Sequence, residues 1–99
     1  MEETYDVSFA EPAVEQLDAI TTYLAEHWSQ QVKTDFLAQL SDKLSLISRM
    51  PYMYRASAIK SEYRECVVNK LTILFYQVNE EAKTVEIISV QSTRSGSTE

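Results

Sequence analysis

The sequence predicts an α+β domain with element order β-α-α-β-β-β, a helical hairpin packed on a small antiparallel sheet. Apolar residues recur every three or four positions across 12–49, and β-branched and aromatic runs lie on either side of that stretch. Pro12 and Pro51 stand at the two places where the period changes.

The first run, "TYDVSFA" (4–10), puts Tyr5, Val7 and Phe9 on one side and Asp6 and Ser8 on the other, as in a strand with one buried face. Pro12 suits the first helical turn, where its missing N–H forfeits no bond. Val14, Leu17, Ile20 or Thr21, Leu24 and Trp28 then trace an apolar stripe along a first helix. Ser29 is placed to cap a second helix with stripe Val32, Phe36, Leu40, Leu44 and Ile47, widened by Leu37 and stopped by Pro51. With so short a connection around 27–29, the two helices run antiparallel.

Three strand-like runs follow, "YRECVVN", "LTILFYQV" and "TVEIISVQ", broken at Asn69-Lys70 and at the polar "NEEAK". The middle run is apolar almost throughout and is expected to be central and buried on both sides, or nearly so. The tail "SGSTE" has no periodicity and is expected to fray. The reading is one domain over 1–99 with an ordered core of about 4–94.

With 44% hydrophobic and 24% charged residues, the chain has the composition of a packed globule. A lone cysteine, Cys66, excludes an internal disulfide and is expected to be buried. The start "MEETYDVSF" lacks the basic and apolar segments of a signal peptide, and no apolar run is long enough to span a bilayer. The expected location is cytoplasmic, with no membrane partner.

A net charge of -6 argues against broad, charge-driven nucleic-acid binding. The charge is unevenly divided: residues 1–48 hold nine acids against two lysines, whereas 49–99 hold six acids against seven bases. The basic segment opens with "RMPYMYRAS" (49–57). There Met50, Pro51 and Met53 are expected to close the core edge with Tyr52 or Tyr54 partly packed, and Arg49, Arg55 and Arg64 to crowd one end of the sheet. His27, at the helix turn, reads as an end-of-helix or solvated residue. Neither a metal-ligand cluster nor a glycine-rich phosphate loop is evident in the sequence.

In "YDVSFAEPAVEQLDAITTYLAEHWS", "AQLSDKLSLISRMPYMY" and above all "YRECVVNKLTILFYQVNEEAKTVEIISV", the chain resembles the RelE/ParE family of bacterial type II toxins over roughly 5–94. RelE-like members are implied to be ribosome-dependent ribonucleases, with an arginine on the central strand and a cation-rich C-terminal segment bearing Tyr or His. Aligning Tyr76-Gln77-Val78 with the family's Tyr-x-Val puts Ile73 at the arginine position, and after the last strand there is only Arg94. ParE-like members are implied to poison DNA gyrase by binding, in a setting of plasmid stabilisation.

The resemblance therefore implies a ParE-like gyrase inhibitor neutralised by an antitoxin, with no catalytic residue, metal or other cofactor. A RelE-like enzyme acting on mRNA at the ribosome, or an inactive member, is the alternative. Arg49, Arg55, Arg64 and Arg94 are the candidate target contacts, and Trp28 is the candidate antitoxin anchor. Homodimerisation is the other way to cover exposed apolar surface.

Overall fold

In the computed structural model, which describes residues 4–92, the elements fall in the expected order. They are β1 (Asp6–Phe9), α1 (Glu11–His27), α2 (Gln30–Arg49), β2 (Arg64–Asn69), β3 (Thr72–Asn79) and β4 (Thr84–Ser92). Pro12 lies in the first turn of α1, whose N-cap, Ala10, makes no side-chain bond. The reversal between the helices takes only Trp28 and Ser29, whose N–H groups both donate to the Leu24 carbonyl. The Ser29 hydroxyl accepts from the Val32 N–H at 3.0 Å, the cap the sequence led us to expect. Arg94 and the tail "SGSTE" lie outside the described residues.

The strand order is β1-β4-β3-β2. The three C-terminal strands are antiparallel, whereas β1 lies parallel to β4, pairing Val7 with Val85 and Phe9 with Ile87, so the sheet is mixed. Parallel neighbours cannot be joined by a tight turn, and here the helical hairpin and two strands intervene between them. The start of β1 is also tied to the end of α2, through the Tyr5 N–H and the Ser48 carbonyl at 2.8 Å.

The helices cover one face of the sheet. Ala13, Phe36, Leu40 and Ile47 pack against Cys66, Val68, Leu74, Tyr76, Val85, Ile87 and Val90, all of them buried. On α1 the inward stripe is Ala13, Leu17, Ile20 and Leu24, while Val14 and Trp28 are exposed. Ala13 and Val14 are one residue, about 100°, apart on the helix, and facing the small Ala13 inward lets α1 lie close to β4. Leu37 is exposed too, so the stripe on α2 is narrower than expected.

The middle strand also departs from expectation. Thr72, Leu74 and Tyr76 are buried under the helices, but Ile73 and Phe75 are half-buried and Gln77 is exposed on the other face. No second layer of helix or strand covers that face among the described residues. The long apolar run thus lines a core on one side and an open surface on the other.

Candidate functional site

The start of β2, the β3–β4 turn, the start of β1 and the loop after α2 meet at one end of the sheet. Pro51 is buried there, and its carbonyl accepts from the buried Tyr76 hydroxyl at 2.6 Å. Met50, Met53 and Tyr52 are exposed, so of the expected edge-closing group only Pro51 is inside, with Tyr54 half-buried. The loop turns outward because its polar anchors are the Pro51 and Tyr54 carbonyls, which leaves the side chains between them in solvent.

Arg64 is one of those anchors. Its Nη1 donates to the Tyr54 carbonyl at 2.6 Å, and its guanidinium lies 4.9 Å from the centre of the Tyr52 ring. The loop then runs beside β2, with Ala56 bridged to Arg64 and the Glu65 N–H donating to the Arg55 carbonyl. Arg55 itself projects outward, its side chain 84% exposed and 3.5 Å from Glu65. Arg49 is exposed at the last turn of α2. The structure thus brings Arg55 and Arg64 to the same end as Met50–Met53, with Arg64 held by the loop and Arg55 extended outward beside Glu65.

Glu80, in the β3–β4 turn, gathers the remaining groups. The hydroxyls of Tyr5 and Tyr52 donate to its Oε1 at 2.8 and 2.7 Å, and Lys83 bonds to its Oε2. These bonds, that from Lys83 most of all, lower the Glu80 carboxyl to about 2, and the same carboxylate raises both tyrosine hydroxyls. Lys83 takes φ of 57°, a left-handed conformation in which its carbonyl accepts from the Asp6 N–H at 3.0 Å. One carboxylate therefore ties β1, the turn and the loop together. Sequence reasoning missed it because a polar turn bearing two glutamates gives no sign of which one folds inward.

The opposite end of the molecule carries a groove of about 770 Å³ between α1, α2 and the far end of the sheet. Ile20, Tyr23, Leu24, Trp28, Val32, Phe36 and Leu71 supply its apolar lining, and Asp35, Gln39 and Asn69 are among its polar residues. Trp28 is 60% exposed, standing at the mouth rather than in the core. Tyr23 and Leu71 are exposed as well. His27, exposed at the end of α1 as expected, stacks on Tyr23, ring centres 4.5 Å apart.

The open face of the sheet has different chemistry. Ile73 is paired with Val67 and Gln91, and Phe75 with Glu65 and Ser89. A hollow of about 160 Å³ beside Phe75 is lined by Ser57, Ile59, Lys60, Tyr63, Ser89 and Gln91. Lys60 is engaged with Glu62 at 3.7 Å and with the Tyr63 ring. Cys66 is fully buried, and burial pushes its thiol up, away from the thiolate a nucleophile needs.

A strand, a helical hairpin and a three-stranded meander whose last strand returns beside the first make up the fold that carries these two ends. The chain matches the model of the ParE toxin of the type II toxin-antitoxin system parDE over residues 7–95, and it belongs to that family. Among solved structures it is similar to a chain of the chromosomal ParDE system from P. aeruginosa, with TM-score 0.74 and 10% identity over 90% of this chain and 96% of that one. A chain of the RelBE2 toxin-antitoxin complex from Mycobacterium tuberculosis gives 0.66 and 17%, over 93% and 94%. A chain of the intact E. coli RelBE complex gives 0.61 and 21%, over 88% and 94%. At such identities these likenesses establish the shared fold. No curated protein sequence matches.

Proposed function

We propose that the protein is a ParE-like toxin that acts by binding DNA gyrase and is neutralised by an antitoxin seated on the helical hairpin. The observation that carries the binding mode is the open face around Ile73. Its cross-strand neighbours are Val67 and Gln91, so among the described residues neither position 73 nor its strand partners supply a cation to stabilise charge at a scissile phosphate. The target contacts are Arg49 and Arg55 with the exposed Met50, Tyr52 and Met53, a patch of cations and large apolar side chains. Arg64 supports the patch by fixing the loop, and Arg94 is a further contact. The groove bearing Trp28 at the other end, together with the known structures of ParDE and RelBE pairs, supports an antitoxin partner.

The test is to incubate the purified protein with gyrase, ATP and supercoiled DNA, and in parallel with a translating extract. Cleaved DNA trapped on gyrase, with transcripts left intact, is the expected result. Specific transcript cuts would overturn the reading in favour of ribosome-dependent cleavage, and the hollow bearing Lys60 and Tyr63 would be the first place to look for its groups.

A further inference from the structure

We infer that the groove at the hairpin end is built for a cationic amphipathic helix, so that the segment which covers it carries lysine or arginine along its flanks. This rests on the antitoxin reading above and specifies the chemistry of that partner. Three observations lead to it.

The helical walls offer side chains, because their backbone groups bond within each helix. Ile20 and Leu24 on α1 face Val32 and Phe36 on α2, apolar rungs one helical turn apart that suit anchors at i, i+3 or i+4, and i+7 of a third helix. The lining of α1 runs from Ala19 to Trp28 across the reversal, about 14 Å, or roughly three turns of a partner helix. An added strand would need an unpaired sheet edge. The edge of β4 that passes beneath α1 is already engaged, because the Val90 N–H donates to Gln16 Oε1 at 2.7 Å. A helix satisfies its own backbone and needs only the apolar floor.

The rim is acidic. Asp35 lines the groove, and Asp42 lies two turns further along the same stripe of α2. On α1, Glu15 and Glu26 share a face with the lining residue Ala19, and both are exposed. Against these four carboxylates stand two lysines, Lys43, one turn beyond the lining residue Gln39, and Lys70, in the turn between the lining residues Asn69 and Leu71. Throughout its length α1 has no lysine or arginine, and the acidic half of the sequence ends just before the basic loop begins. A partner flank of the same sign would meet repulsion along both walls, while a basic one would be steered in and held.

The mouth is apolar and open. Trp28, Tyr23 and Leu71 project there with substantial exposure, and large aromatic residues of this kind commonly carry most of the energy of a docking surface.

Trp28 is the chain's one tryptophan, which makes it a direct reporter. Two tryptophan-free synthetic peptides with the same leucine anchors at helical spacing, one flanked by lysine and arginine and the other by glutamate, are titrated into the full chain. In the free protein Trp28 should emit as a solvent-exposed indole. The cationic peptide should shift that emission to the blue and bind about tenfold more tightly than the anionic one at low salt, a margin that narrows at high salt. The double substitution Glu26→Gln and Asp35→Asn should remove most of the preference.

Equal or tighter binding of the anionic peptide, or binding of neither, overturns the inference. So does a free chain whose Trp28 emission is already blue, since the groove would then be filled by the chain's own residues or by a second copy. The failure of the underlying reading looks different. An antitoxin that binds without moving Trp28 leaves the toxin function standing and removes the groove, whereas a groove with the expected preference in a protein that takes up no antitoxin removes the partner and keeps the chemistry.

Discussion

The two ends of the sheet each expose three large apolar side chains and are held in opposite ways. At the loop end the exposed Met50, Tyr52 and Met53 sit on a polar scaffold, in which Tyr76 bonds to Pro51, Arg64 to Tyr54, and Glu80 to Tyr5, Tyr52 and Lys83. At the groove end Trp28, Tyr23 and Leu71 rest on apolar contacts between two helices joined by a two-residue turn. One end carries Arg55 and Arg64 and is fastened by directional bonds, whereas the other has an acidic rim and is open. Directional bonds set the shape of a small surface before it meets anything, which suits contact with a fixed target. An apolar groove instead leaves its anchors unsatisfied until a partner arrives, which suits a surface meant to be covered.

Substitutions at the core and at each end test that contrast. Leu74→Ala should have the largest effect, about 2–5 kcal/mol, because Leu74 is fully buried in the core beneath both ends. Trp28 fluorescence and far-ultraviolet circular dichroism should then report one coincident urea transition at lower midpoint, and two separate transitions would show that the ends are not coupled through the core. Tyr76→Phe should cost about 1–3 kcal/mol, since it removes the donor from the Pro51 carbonyl. Amide exchange should quicken around Met53 and Ser57 while Trp28 emission stays unchanged.

Acid should act at the loop end. Glu80 is lowered to about 2 from an ordinary 4.5 by Lys83, Tyr52 and Tyr5, so its contribution is complete above 4.5 and fades as pH falls toward 2. Amide exchange in the β3–β4 turn should rise across that window, and Glu80→Gln should abolish the dependence. Loosening of the groove in the same window would contradict the separation of the two ends. His27→Ala should have the smallest effect, within about 0.5 kcal/mol by thermal melting, because the ring only stacks on the exposed Tyr23.

The order of elements, the Ser29 cap, the hairpin and the burial of Cys66 were legible because each follows from local spacing or from a single side chain's chemistry. The rotation of α1 was not, since Val14 and Ala13 both begin acceptable stripes and only the approach of β4 selects between them. The outward set of Met50 and Met53 was hidden for a related reason, in that a methionine suits a core and a surface equally well. Glu80 could not be singled out because its partners, Tyr5 and Tyr52, are 75 and 28 residues away in sequence. The basic cluster was visible as composition, but its division into a clamping Arg64 and an outward Arg55 depends on the loop's path beside β2.

The division of labour between the ends is tested most directly by a paired growth assay on two double variants, each first shown to fold by circular dichroism. Arg49→Ala with Arg55→Ala should cease to arrest growth yet still co-purify with the antitoxin. Tyr23→Ala with Trp28→Ala should arrest growth even when the antitoxin is co-expressed. A single variant that loses both properties, or a pair that shows the reverse pattern, would contradict the account.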